Sequence, residues 1–418
     1  MTNTTNNFHA RLGDAANPGF LPETERLAQI RMDLNPFVTD TELPENSPVF
    51  FGRDYIMHEI LSALCHPGKP RCVSLLGEGR MGKSSLLNQV FAALGKEDGL
   101  VAIRGSARGW QDYTPERFFA DLHGAIEGVI GEMPQADASD TPESDPLAVT
   151  DYQAFRARLF PRAKRYRFVL ILDAFETLLA NPDFGAQFLA HLHHLGNTPE
   201  FRFGHLLASR RPVSELRERF QAFESSSLWN LFGLTHVLGP LQPEEGLALR
   251  EEPWRRSLKM TLSPKEAERL DGQAGLHPAL LQEVSEAMWR ARAGRSQPDP
   301  HEIRQGLWAY FRDLWADRSQ EEKGVLARIL GGKPVTEHLL SRDLRSRGLI
   351  VRKGRKDALF SESFEEFIRE SVAGDRDLSA IMKERVEDSA PDEKPERGGK
   401  KWLNGLFKMA NKIGGLRG

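Results

Sequence analysis

The sequence predicts an α/β fold: a parallel sheet covered by helices on both faces, followed by all-helical segments and a small hairpin. Three observations carry this. Short apolar runs, CVSLL (72–76), LVAIR (100–104), FVLILD (168–173) and GHLLASR (204–210), alternate with helical patterns such as KSSLLNQVFAALG and PERFFADLHGAIEGVIGEM. The runs are apolar along their length rather than at every second position, as strands buried on both faces must be. After HVLGPLQPEEG the strand runs stop and helical periodicity takes over.

In chain order, residues 1–46 are rich in Asn, Thr, Pro and Asp and read as an extended arm with one short helix near ETERLAQIRM. Residues 47–238 form the α/β core, interrupted at 133–150 by an acidic, Pro-rich stretch expected to be an inserted surface loop. Residues 239–294 are helical. Residues 300–372 give three helical segments ending near Arg347, then LIVRK and ALFSE joined by the turn GRKD, the order of a winged-helix domain. A mixed-charge linker (373–398) leads to a basic tail, 399–418.

The 418 residues carry a net charge of −3, so nucleic acid or membrane must be met by a local patch, not a global field. The two cysteines, Cys65 and Cys72, exclude a disulfide framework and fit a reducing compartment. The start, MTNTTNNFHARLGD, lacks a basic-then-apolar signal pattern, and apolar runs fall short of the roughly 20 residues that span a bilayer. The expectation is a cytoplasmic protein, peripheral to a membrane only when activated.

The stretch GEGRMGKS, residues 77–84, satisfies G-x-x-x-x-G-K-[ST] between a strand and a helix, which makes the core a P-loop NTPase core. Gly77, Glu78, Gly79, Arg80, Met81 and Gly82 are expected to wrap phosphates with backbone N–H groups at a helix N-terminus. Lys83 should reach the β- and γ-phosphates, Ser84 should ligate Mg²⁺, and Ser85 continues the nucleotide-binding run. Such a site needs a second carboxylate at the end of a buried strand. FVLIL runs directly into Asp173, the expected second metal-side ligand.

Phe51-Gly52-Arg53, the P-loop, Asp173, LLASRRP and Gly275-Leu-His277-Pro278 occur in one order over about residues 36–370. This set resembles the STAND class, signal-transduction P-loop ATPases within the AAA+ group that are related to the NB-ARC switches of plant immune receptors. Origin-recognition ATPases share the architecture. The resemblance implies that residues 239–294 are a helical lid and that Arg53 lies beside the adenine and ribose. It implies that Arg210 contacts the γ-phosphate, and that His277 and Pro278 touch the nucleotide from the lid. The cofactors implied are ATP or ADP with Mg²⁺. Many members have Asp-Glu where this chain has Asp173-Ala174, and a methyl group cannot accept a proton. Loss of a general base typically costs ~10²–10⁴ in rate. Glu176, two residues on, is the candidate substitute, and tight binding with slow ATPase turnover is expected.

Arg342, Arg345, Arg347, Arg352, Lys353, Arg355 and Lys356 crowd the third helix and hairpin. Two readings stand: the winged helix packs on the core and holds it shut, as in STAND relatives, or it grips DNA. In the tail KKWLNGLFKMANKIGGLRG, Trp402, Leu403, Leu406, Phe407 and Ile413 share one helical face, and Lys408 and Lys412 lie opposite. A C-terminal amphipathic helix of this kind suits a membrane surface; docking on a protein partner or on the chain itself, and a disordered tail, remain alternatives. The sequence thus predicts an ATP/ADP-controlled signalling switch that forms a homo-oligomer when ATP-bound, the alternative being a DNA-associated AAA+ ATPase.

Overall fold

The computed structural model describes residues 7–131, 149–211, 216, 227–335 and 338–383. Six strands form one sheet: β1 (Phe8–Leu12), β2 (Val73–Leu76), β3 (Leu100–Ser106), β4 (Arg167–Asp173), β5 (Phe203–Ser209) and β6 (Leu234–Val237), in the spatial order β1-β3-β4-β5-β2-β6. All pairings are parallel except β1 with β3. The carboxyl ends of β2, β5 and β4 lie side by side, the position at which open α/β sheets bind ligands.

Alternate residues of the central strands enter two separate apolar cores. Leu100, Ala102, Val169 and Ile171 pack on one face, and Val101, Ile103, Phe168, Leu170 and Leu172 on the other. Serving both faces at once requires strands without polar alternation, which is why these runs are legible in the sequence. The first face packs on α2 (Asp54–Leu64) and α3 (Lys83–Leu94), the second on α4 (Pro115–Ile130), α5 (Tyr152–Arg162) and α7 (Ala186–Asn197). Between β4 and α7 lies the short α6 (Phe175–Ala180), and α1 (Glu23–Leu27) falls within the expected ETERLAQIRM helix.

Three helices follow β6: α8 (Pro243–Ser257), α9 (Pro264–Ala274) and α10 (Pro278–Ala293). Then come α11 (Pro300–Ala316), α12 (Gln320–Leu330) and α13 (His338–Ser346), the hairpin β7 (Ile350–Lys353) and β8 (Lys356–Leu359), α14 (Glu362–Ala373) and α15 (Arg376–Lys383). Their apolar faces join the same core as α2 and α3, so this C-terminal module is packed against the α2–α3 side of the sheet.

The structure differs from the sequence reading in the arm, at β6, in the hairpin turn, and in the 373–398 linker, where α15 (Arg376–Lys383) forms and buries Leu378. The arm is not only extended chain, because Phe8–Leu12 adds an antiparallel edge strand. Phe8 anchors it edge-on to Trp110 (5.5 Å) and Phe118 (5.2 Å), over Gly105, where a Cβ would come within 2.7 Å of the Phe8 ring. Strand β6 went unanticipated because it is a half-exposed edge with no buried residue. The hairpin turn is Gly354-Arg355 rather than GRKD: Lys353 pairs with Lys356, and Gly354 takes φ 63°. Most of the 133–150 insertion, and the chain from 384 on, including Trp402, Leu403, Leu406, Phe407, Lys408, Lys412 and Ile413, lie outside the described residues. Among the described residues no helix is long and apolar enough to cross a membrane.

If Phe8 staples the arm to the sheet, Phe8→Ala lowers unfolding stability by ~3–5 kcal/mol, read as a shifted urea midpoint. An unchanged midpoint would show that the arm does not contribute to the sheet.

Candidate nucleotide-binding site

The loop from Leu76 to Lys83 turns sharply from strand to helix. Arg80 (φ 58°) and Gly82 (φ 92°) are both left-handed, and a Cβ on Gly82 would meet nothing within 4 Å, so glycine serves the backbone angle and leaves the helix N-terminus open. Gly77 instead answers crowding, since a Cβ there would lie 2.7 Å from the Leu238 carbonyl oxygen. Lys83 Nζ donates to the carbonyl oxygens of Gly77 (2.7 Å) and Glu78 (2.9 Å). An ammonium has three donors, so a third remains for a phosphate oxygen. Burial pulls the Lys83 pKa down to about 8, against the opposing pull of Glu176 and Asp173. Met81 is buried in the core, and Ser85 Oγ accepts from the Leu43 N–H at 3.0 Å.

Ser84 Oγ donates to Asp173 Oδ2 at 2.6 Å, and Asp173 Oδ1 accepts from the Ala174 N–H at 2.9 Å. A hydroxyl and a carboxylate this close offer two hard oxygens, which suits Mg²⁺ held mainly by waters and nucleotide phosphates. Among the described residues no cluster of three or more His, Cys, Asp or Glu could hold a metal ion. Arg108, just past β3, stands on the same spot, 3.2 Å from Ser84 Oγ and 3.6 Å from Asp173 Oδ2. Nothing in the sequence pattern marks it.

Ala174 is left-handed (φ 53°) and starts α6 directly, placing Glu176 in its first turn. Burial raises the Glu176 pKa, while its own backbone N–H, Lys83 and Arg210 hold it down. Glu176 Oε1 lies 3.8 Å from Arg210 Nε, and Oε2 is buried with no hydrogen-bond partner among the described residues. Arg210, just past β5, has its guanidinium carbon 3.8 Å from a Cβ built on Gly79, so it overhangs the loop. Lys83, Asp173, Glu176 and Arg210 therefore converge.

Around them opens a cleft of about 700 Å³, lined among others by Leu43, Phe51, Lys83, Arg210, Pro278 and Tyr310, a size suited to a nucleotide. The arm crosses it as a strap. Val38 N–H donates to Gln282 of α10 (3.2 Å), Arg80 donates to the Thr39 carbonyl (3.0 Å), and Asn88 of α3 donates to the Leu43 carbonyl (2.8 Å). Arg53 also borders the cleft, but its guanidinium is committed to the carbonyls of Gly239 (2.8 Å) and Pro240 (3.0 Å), and burial lowers its pKa to about 10. Pro278 lines the cleft. His277 turns inward: it caps α10 by accepting from the Leu280 N–H (3.4 Å), and its Nε2 meets the Tyr310 hydroxyl at 2.8 Å. Burial, with Arg80 and Arg53 nearby, lowers its pKa to about 3, so the ring is neutral.

The outer side of the loop is bonded to the C-terminal module. Tyr310 of α11 donates to the Gly79 carbonyl at 3.1 Å. Glu78 is gripped by Arg318 through two bonds of 2.8 Å and by Arg347 Nε at 2.6 Å, and Arg347 also holds Glu322 at 2.7 Å. Arg347 is thus no surface base. Of the expected DNA contacts, Arg345 (2.8 Å) and Arg352 (3.3 Å) share the single carboxylate of Asp357, and Arg352 is exposed along with Arg342, Lys353, Arg355 and Lys356.

Residues 49–208 match the family model of the AAA ATPase domain. Curated proteins give no match to the chain. Among solved structures, the fold is similar to a Walker-type ATPase of Pyrococcus abyssi, with a TM-score of 0.56 at 16% identity, covering 80% of this chain and 99% of that one. The ORC2 protein of Aeropyrum pernix, in ADPNP-ADP complexes, aligns at TM-score 0.46 and 16% identity over 81% and 98% of the chains. The ORC1 protein of Aeropyrum pernix in complex with DNA gives 0.42 and 16% over 77% and 94%. The P-loop NTPase fold and the domain match support one class: an ATP-binding P-loop ATPase related to the AAA+ group.

A Lys83 pKa near 8 has a measurable consequence. An incoming phosphate favours the ammonium, so nucleotide binding at pH 8 takes up a fraction of a proton, and affinity falls as pH rises above 8 and Lys83 is neutralised. Calorimetry in buffers of different ionisation enthalpy reads the uptake. Lys83→Met should abolish it and weaken binding by about 10²-fold or more.

Proposed function

We propose that the chain is an ATP-binding signalling switch of the STAND kind. ADP favours the closed arrangement, with the lid helices α8–α10 and the winged-helix module over the cleft. Exchange for ATP opens it and drives self-association. The observation that carries this reading is the chain from His277 through Tyr310 to the Gly79 carbonyl, which ties lid, module and phosphate loop into one hydrogen-bonded line. A ligand that moves Gly79 must move both other parts or break that line. The amphipathic tail is the output, engaging a membrane surface or a protein partner once copies cluster.

Mg²⁺, held by Ser84 and Asp173, would offset charge on the β- and γ-phosphates. Glu176 takes the proton of the attacking water as the new P–O bond forms and the bond to ADP breaks. Its desolvated, raised-pKa carboxyl is basic enough for this, but it sits two residues beyond the usual position and is partly engaged by Arg210. Turnover is accordingly slow. Glu176→Gln should lower steady hydrolysis by ~10²–10⁴ while ATP still binds and raises the solution mass measured by light scattering. Unchanged mass on swapping ADP for ATP would refute the switch.

Exposure of Arg342, Lys353, Arg355 and Lys356 favours a second reading, DNA association through the hairpin. Asp357, which pairs with both Arg345 and Arg352 and cancels one of their two charges, weakens the patch and counts against it. Under the DNA reading, log affinity falls with log salt by about 0.9 per phosphate contact, and Lys353→Glu with Arg355→Glu abolishes the gel shift. Under the switch reading no salt-dependent shift is seen.

A further inference from the structure

We propose that Glu78 is a positioning residue through which the C-terminal module sets the affinity of the phosphate loop for nucleotide. Glu78 occupies a position that the G-x-x-x-x-G-K-[ST] pattern leaves open, yet its buried carboxylate accepts three hydrogen bonds from two arginines of the C-terminal module. Arg318, in the turn between α11 and α12, takes both oxygens in a fork at 2.8 Å. Arg347, just past α13, adds a bond of 2.6 Å to Oε1. Glu322 of α12 completes the cluster, accepting from Arg347 at 2.7 Å and lying 3.5 Å from Arg318. Exposure is 2% for Glu78, 3% for Glu322, 5% for Arg318 and 6% for Arg347. Although burial opposes it, the Arg347 pKa is held above its ordinary value by Glu78, Asp343 and Glu322. The charge of Glu78 is matched by these arginines only while the module is docked. Undocking separates the two arginines from Glu78.

The cluster reaches the ligand through the backbone. The carbonyls of Gly77 and Glu78 hold Lys83 Nζ, so the peptide that Glu78 fixes from outside is the one that aims the ammonium from inside. Tyr310, from the same module, fixes the next carbonyl, that of Gly79. With the module docked, the loop is rigid and Lys83 has one orientation. With it released, Gly77–Gly79 loses three side-chain anchors. Coupling of this sort is reciprocal: whatever factor docking adds to nucleotide affinity, nucleotide adds to docking. The proposal rests on the reading that module docking is nucleotide-controlled.

The test uses the full chain, with Mg·ADP and Mg·ATP titrated by calorimetry into wild type, Glu78→Gln, Arg347→Lys and the double variant. X-ray scattering radii are measured with and without nucleotide. Arg347→Lys keeps the charge and loses the guanidinium that bridges Glu78 and Glu322. Expected are changes in ADP affinity on the order of 5–150-fold for Glu78→Gln, a smaller change for Arg347→Lys, a non-additive double variant, and a radius that no longer responds to nucleotide. A merely structural role would alter melting temperature and leave the affinity of the folded protein unchanged. Folded variants that bind both nucleotides within twofold of wild type, or strictly additive effects, overturn the proposal. Should Glu78→Gln not fold, the same cycle with Glu78→Asp decides it. A wild type that binds neither nucleotide takes down the site reading itself; binding wild type with unaffected variants sinks the Glu78 coupling alone.

Discussion

An ammonium group in a nearly dry site must be surrounded by compensating partners, because removing an ion from water costs several kcal/mol even after relaxation. Lys83 is 8% exposed, and its partners come from separated parts of the chain: two carbonyls of its own loop, with Asp173 from β4 and Glu176 from α6 contributing to its field. The order of the sheet makes this arrangement available. Strand β5 separates β2 from β4, so the Arg210 that follows it falls between the loop and the two carboxylates. The charges around Lys83 are nearly, not fully, balanced, which is the condition for an anionic ligand to be the missing partner.

The loop is therefore under electrostatic control from both sides. On its inner side it holds a cation, and on its outer side, through Glu78, it holds an anion clasped by Arg318 and Arg347. Between those charges lie only the peptide units whose carbonyls Lys83 uses. Buried ions from the sheet region and from the C-terminal module meet at the phosphate loop, so neither part can move without changing the loop's electrostatics. Replacing such ions with apolar residues is often neutral or stabilising in other proteins, so stability alone is a poor reason for them to sit here.

What could be read from the sequence follows the range of the interactions involved. The strands at 100–106, 167–173 and 203–209 were legible because both their faces are buried; β1 and β6 were not, because an edge strand carries only part of that pattern. Lys83, Ser84 and Asp173 were legible because phosphate and metal chemistry fixes residue type and spacing. The partners of Glu78 lie 240 and 269 residues away, and no local spacing encodes them. The same distance effect hides the role of Arg347: in the sequence it is one of seven bases around the third helix and hairpin, and only the fold turns it inward. Arg108 follows an unremarkable strand end and gains meaning only from the Ser84 and Asp173 oxygens beside it.

Ala174 unites the catalytic and sensing questions. An L-residue in the left-handed region costs roughly 1–2 kcal/mol, and it persists where the surroundings over-determine it. Here Asp173 Oδ1 holds its N–H, and β4 passes into α6 with no intervening loop. The tight turn brings the side chain two residues on, Glu176, into the electrostatic field of Lys83, and on the proposed reading it stands in for the carboxylate missing at 174. That carboxylate lies next to Arg210, at 3.8 Å. On the switch reading one guanidinium then has two alternative anions. Without a γ-phosphate it leans on Glu176 and occupies the base; with one it is drawn to the phosphate and leaves Glu176 to the water. Sensing and turnover would thus draw on the same ion pair, which makes slow hydrolysis a consequence of how the nucleotide is read.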